Sequence, residues 1–118
     1  MNVQISIGEL WDKYSILMLK TEKIKEEAKL NHVRNELSHL PTIDLQHPLF
    51  VELKQVNETL WNIEDLLRVK ETRQEFDEEF ILLARSVYIT NDRRAEIKRD
   101  INSATNSVLC EVKSYVGI

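Results

Sequence analysis

Glycine and proline are almost missing from this chain: Gly8 and Gly117 are the only glycines, and Pro41 and Pro48 the only prolines, among 118 residues. Both residue types punctuate regular structure, so their scarcity allows long helices and excludes a turn-rich β architecture. Cysteine is reduced to Cys110, which rules out an intrachain disulfide; its place in the apolar run VLCEV predicts a small buried hydrophobe. No long hydrophobic run exists either. The longest, Ile16-Leu17-Met18-Leu19, is far short of a membrane span. The N-terminal MNVQISIGEL lacks the charged and apolar regions of a secretory signal, so a soluble, cytoplasmic protein is expected. Nor is there an excess of positive charge. Sixteen Lys and Arg face twenty Asp and Glu, a net charge of -4 with the signs interspersed, and no segment is basic. A nucleic-acid or membrane-surface protein would need a basic face to displace counterions, so neither partner is expected.

What is present is helical spacing. Leu49, Leu53, Val56, Leu60, Ile63 and Leu67 recur at alternating steps of four and three, the pattern of a coiled-coil seam. With 42% hydrophobic residues the chain can build one core, and a single all-α domain over 1–118 is the reading. Ser6-Ile7-Gly8-Glu9 has the form of a capping box and starts a helix, which meets no breaker before Leu40, where Pro41 disfavours helical geometry. Two apolar seams run along it: Ile7, Leu10, Tyr14, Leu17 and Ile24 in one, Ile16, Leu19, Leu30, Val33, Leu37 and Leu40 in the other. Such a helix would be about 50 Å long, whereas a compact chain of this size has a radius of gyration of about 13–14 Å. Either the helix breaks, or the molecule is elongated and a second copy covers the other seam.

Residues 41–47, PTIDLQH, read as a loop, with Pro48 at the first position of a helix running to about residue 74. Asp77 then suits an N-cap, with Phe76 and Ile81 as a hydrophobic staple and Glu78 and Glu79 in the first turn. Thr90-Asn91-Asp92 offers another cap, so a bend or a new helix is expected there. The tail VLCEVKSYV fits helix or strand; helix is preferred, because an isolated two-stranded pair is marginal. The architecture predicted is an elongated bundle of three to four helices with a long N-terminal helix and antiparallel hairpin packing.

Signals for chemistry are polar and helical. Trp61, Glu64, Asp65 and Arg68 are near neighbours on the second long helix, while Arg85, Tyr88, Asn91, Asp92, Arg93, Arg94 and Lys98 crowd the stretch that follows. Guanidinium forks at Arg68, Arg85, Arg93 and Arg94 could clamp a phosphate or sugar phosphate, with Glu64, Asp65 or Asp92 as acid, base or hydroxyl acceptor and Trp61 as an apolar plane. The competing reading is that these groups are caps and interhelical ion pairs that fix register. His32, Glu36 and His39 share a helix face, and Glu36-Leu37-Ser38-His39 reproduces half of a carboxylate-bridged di-iron signature. The other half is missing, so no metal and no cofactor is assigned. Gly-rich phosphate loops, nucleophile elbows, H-E-x-x-H and paired CxxC motifs are all absent. The two spaced carboxylate pairs of a helical nucleotide pyrophosphatase are not matched either, since Glu96 and Asp100 are four apart rather than three.

The strings SIGELWDK (6–13), LWNIEDLLR (60–68), FDEEFILLARSVYITNDRRAEIKRDIN (76–102) and EVKSY (111–115) together resemble a family of short uncharacterised proteins, a domain of unknown function from bacteria and their phages. The least degenerate piece is ARSVYITNDRRAEIK. Members of that family are sometimes encoded beside glycosyltransferases of surface-polysaccharide clusters, so the resemblance implies at most such a context and no reaction. Asn106 stands where relatives carry glycine, which implies a bend there, Asn being the next most tolerant of left-handed geometry.

Two functions compete. The favoured one is a non-enzymatic, homo-oligomeric helical assembly or adaptor protein. The alternative is a small enzyme or binding protein for an anionic metabolite, phosphorylated or a sugar nucleotide. Whether Arg68 and Arg85 converge on an open pocket or on carboxylates separates them.

Overall fold

A computed structural model describes residues 1–110. They form four helices and, among the described residues, no strand: α1 (Ile7–Lys23), α2 (Glu27–Ser38), α3 (Pro48–Thr72) and α4 (Glu78–Ala104). The all-α, elongated, helix-on-helix architecture is the one expected. Its radius of gyration is 16.1 Å, above the roughly 13–14 Å of a compact chain this long.

The predicted first helix is divided. It ends at Lys23, and Ile24 takes an extended conformation (φ -81°, ψ 133°) although no glycine or proline is near. Packing explains the break. α2 turns back and packs on α1 alone among the helices, burying Leu30 and Val33, while Lys13 on α1 reaches Glu36 on α2 at 3.1 Å. The second seam of the N-terminal segment is thus covered within one chain, so it no longer calls for a second copy.

Caps fall where the sequence places them at most ends. The Ser6 hydroxyl accepts from the Glu9 amide at 3.0 Å, and the Asp77 carboxylate accepts from the Phe80 amide at 3.0 Å. The Glu9 carboxylate, expected to reach back to Ser6, binds Lys98 instead. Phe76, expected to staple to Ile81, meets Phe80 edge-on with centroids 5.2 Å apart. His47 caps α3: its Nδ1 accepts from the Leu49 amide at 3.1 Å, and its ring lies edge-on to Trp11. α3 ends in a Schellman turn at Gln74 (φ 56°), and α4 in another at Asn106 (φ 53°), the bend expected there.

Three expectations fail. α4 runs unbroken through Thr90-Asn91-Asp92, because that stretch is paired with α3 on one side and meets α1 at the next turn, which outweighs its capping chemistry. Residues 107–110 are not helical, the Asn106 turn having ended α4; the rest of the tail lies outside the described residues. Cys110, past that turn, is exposed rather than buried.

α3 and α4 form an antiparallel hairpin, and α1 crosses its lower half. The core lies at that crossing: Trp11 from α1, Phe50 and Leu53 from α3, Ile97 and Ile101 from α4. Above it the hairpin projects as an arm. From residue 64 to residue 94 no residue is buried.

Candidate functional site

The N-terminal turn of α1 lies against the C-terminal half of α4, running antiparallel to it, and a row of polar contacts runs along one side of the apolar core. Gly8 permits the approach: a Cβ there would sit 2.5 Å from the Lys98 carbonyl oxygen and 2.9 Å from Asn102 Oδ1. The free amides of the α1 N-terminus are then satisfied by α4 and the turn after it, Gly8 N–H donating to Asn102 Oδ1 (2.7 Å) and Ile7 N–H to Ser107 Oγ (3.0 Å). One turn on, Lys98 donates to Glu9 at 2.7 Å.

The next turn holds the most buried charge. Asp12 is 1% exposed. Its carboxylate accepts from Arg94 through both Nε (2.8 Å) and Nη2, and from Asn57 Nδ2 on α3 at 2.9 Å. Asn57 also donates to Ser15 Oγ (2.7 Å), and that hydroxyl donates to the Asp12 carbonyl (2.7 Å). One cluster therefore ties three helices together. Among the described residues no buried side-chain nitrogen or oxygen lacks a partner.

Sequence reasoning missed this contact, apart from Arg94 and Lys98. The signal was there: Gly8, Asp12 and Ser15 share one helix face, and Arg94, Lys98 and Asn102 share another of complementary chemistry. Gly8 and Asp12, and Arg94, Lys98 and Asn102, lie inside the family-like strings; Ser15 lies just outside the first.

The residues singled out beforehand are dispersed. Arg94 belongs to the cluster. Arg93 is held by Glu52 and Glu96, and its guanidinium pKa is raised, chiefly by hydrogen bonding to Glu52. Trp61 and Asn91 are half-buried; Asp65, Arg85, Asp92 and Tyr88 are exposed. Glu64 and Arg68 come together in a shallow groove of about 420 Å³ on one face of the arm, whose apolar lining is Leu67, Phe80, Ala84 and Val87, with Glu71 beyond. Arg85 does not line that groove. Neither Arg68 nor Arg85 forms an ion pair with a described residue. The carboxylates that hold Arg93 and Arg94 are Glu52, Glu96 and Asp12.

The arrangement offers little to a reaction. Ser15 is fully buried, accepting from Asn57 and donating to the Asp12 carbonyl, and the Asp12 carboxylate beside it is taken up by Arg94 and Asn57. The helical His/Glu face is likewise occupied: Glu36 pairs with Lys13, and His39 Nδ1–H donates to the Asn35 carbonyl at 2.7 Å. Among the described residues no three His, Cys, Asp or Glu side chains converge as metal ligands, and no helix is long and apolar enough to cross a membrane.

A buried ionic register between helices, a satisfied core and a bare hairpin arm define a small helical-bundle protein with a built scaffold and an open flank. The chain belongs to the DUF6165 family, a family of unknown function, whose model matches residues 1–117. Neither a curated protein nor a solved structure shows significant similarity to it.

Proposed function

We propose that this chain is a non-enzymatic helical assembly or adaptor protein that associates with further copies of itself through the α3–α4 arm. The supporting observation is the arm. Two helices without a buried residue between 64 and 94 still carry Leu66, Val69, Ile81, Leu82, Tyr88 and Ile89 at 44–57% exposure. Scattered surface apolar residues are ordinary, but their concentration on an uncovered hairpin marks an interaction surface. Of the polar residues singled out in the sequence, Arg93 and Arg94 hold the scaffold through Glu52, Glu96 and Asp12. A cytoplasmic location goes with this reading, a single cysteine giving no intrachain disulfide. The alternative, a site for a phosphorylated metabolite or sugar nucleotide, would have to use Arg68 and Arg85.

Light scattering across a concentration series tests the reading. A dimer or larger species that becomes monomeric on Ile81→Lys with Leu82→Lys, helicity unchanged, is the expected result. A wild-type monomer at every concentration would remove it.

A further inference from the structure

The face that α1 covers on the hairpin does not stop where α1 leaves it. On α4 the covered stripe is Asn102, Lys98 and Ala95, all buried. Continued at the same helical spacing it becomes Asn91, Tyr88, Ala84 and Ile81, of which Tyr88 and Ile81 are each 54% exposed. On α3 the covered stripe is Leu53, Asn57 and Leu60; it continues as Glu64, Leu67 or Arg68, and Glu71. The groove between these continuations is the one lined by Leu67, Phe80, Ala84 and Val87. In the lower half the same seam docks a helix of the same chain.

We propose that the upper half docks the arm of a second copy, antiparallel, through a two-fold axis passing near Leu67 and Ala84. This rests on the assembly reading above and names the face it uses. Three features select a second copy as the occupant. The first is charge. The groove edge carries Arg68 without an ion-pair partner among the described residues, one turn from the exposed Glu64. A two-fold axis between them sets each Arg68 against Glu64 of the partner subunit and forms two pairs at once. The same axis sets Ile81 against Tyr88 of the partner subunit on α4.

The second feature is length. The uncovered part of α4 runs from its cap at Asp77 to Asn91, about 22 Å. With the axis at Ala84, the tip of one arm reaches the other just where α1 begins to cover the seam, so two arms fill each other's free length. The third is area. A face of about 22 Å by two helix widths, about 20 Å, has a footprint of roughly 450 Å² per copy, at the low end of specific interfaces. The pair is therefore a weak, concentration-dependent dimer forming a four-helix bundle of two hairpins.

Cysteine cross-linking reads the face directly. In a Cys110→Ser background, Ala84→Cys lies at the axis, where the two thiols of a dimer meet within disulfide range. Mild oxidation converts it to a covalent dimer, while Leu82→Cys, exposed on the opposite side of α4, stays monomeric. Charge exchange gives a second measurement on residues that do not support the fold. Arg68→Glu or Glu64→Arg alone weakens dimerisation by about tenfold, each acting twice by symmetry, and the double exchange restores it. If Leu82→Cys cross-links and Ala84→Cys does not, or if the charge exchanges leave the dimer unchanged, the groove is not the interface although the assembly reading stands. A chain that remains monomeric and cross-links at neither position overturns both, and leaves the seam to a helix of some other protein.

Discussion

The lower half of the α3–α4 hairpin and its upper half are the same two helices under different constraints. Below, Ala95, Ile97, Ile101, Phe50 and Leu53 are buried beneath α1, and every charge at the crossing has a partner of opposite sign. Above, from residue 64 to residue 94, no residue is buried, and Ile81, Leu82 and Ile89 face water. Helical propensity and spacing do not differ between the halves. A third helix does: α1 supplies the apolar cover and the complementary polar groups that turn a hairpin into a core. The arm keeps its shape through continuity with the covered half, and it keeps its apolar surface because nothing in the described chain covers it.

The largest effects belong to the covered half. Asp12→Ala leaves the Arg94 guanidinium beside an apolar gap, and Arg94→Met leaves a carboxylate that is almost fully buried; either is expected to cost about 3–5 kcal/mol. Replacing both, Asp12→Leu with Arg94→Met, is milder than either alone, because no unpaired charge remains. Chemical denaturation of the three variants measures this. Strict additivity would mean that the two side chains do not act as a pair.

A second contrast sets Ile97 against Ile81, identical residues on one helix. Ile97→Ala in the core is expected to lose about 2–5 kcal/mol. Ile81→Ala on the arm should change monomer stability by less than about 0.5 kcal/mol. Comparable losses at both sites would show that the arm is covered in solution even when the protein is dilute. Gly8→Ala falls between them. Its methyl would meet a backbone oxygen that α4 cannot withdraw, and the overpacking should cost about 1–3 kcal/mol while moving α1 off α4. Phosphate at millimolar levels, by contrast, should raise the melting temperature no more than matched chloride, since Arg93 and Arg94 are already held by carboxylates.

Much of this fold is legible in the sequence, for reasons that differ by element. The seam Leu49 to Leu67 reports α3 because burial on one face repeats at helical spacing, and Asp77 reports the start of α4 because its cap is local. The break at Ile24 is not legible. Nothing near it disfavours helix, and it exists only because Leu30 and Val33 gain more by returning to α1 than by continuing. The unbroken run through Thr90-Asn91-Asp92 is the reverse case, local capping chemistry overridden by packing. The polar cluster was half legible. Arg94 stood out by its neighbours in sequence, but its partner Asp12 is 82 positions away, and Asn57, which also donates to Asp12, lies 45 positions from that carboxylate; only the folded chain brings them together.

The smallest effect concerns the arm's tip and separates it from the covered half by pH. Lys70 lies among Glu75, Asp77 and Glu79, at 3.4, 2.8 and 3.2 Å. Its ammonium pKa is raised above the usual lysine value, mainly by the hydrogen bond to Asp77, and the Asp77 carboxyl is held below its usual value by Lys70 and then by the Phe80 amide. A carboxyl with a lowered folded pKa stabilises fully above its ordinary value, and that contribution fades as pH falls through the lowered one. The raised lysine behaves oppositely: its contribution is complete below the usual lysine value and is lost only in strong alkali. Acid therefore loosens the tip while leaving Lys70 charged. Amide hydrogen exchange compared at neutral pH and at pH values below the ordinary aspartate pKa, corrected for intrinsic rates, should show protection falling first at Phe80 and Ile81 and later at Ile97 and Ile101. Asp77→Asn, which keeps the cap but removes the charge, should abolish most of that pH dependence. Equal loss of protection along the whole of α4 would mean that arm and core open as one unit, and that the division between the two halves is one of surface and not of stability.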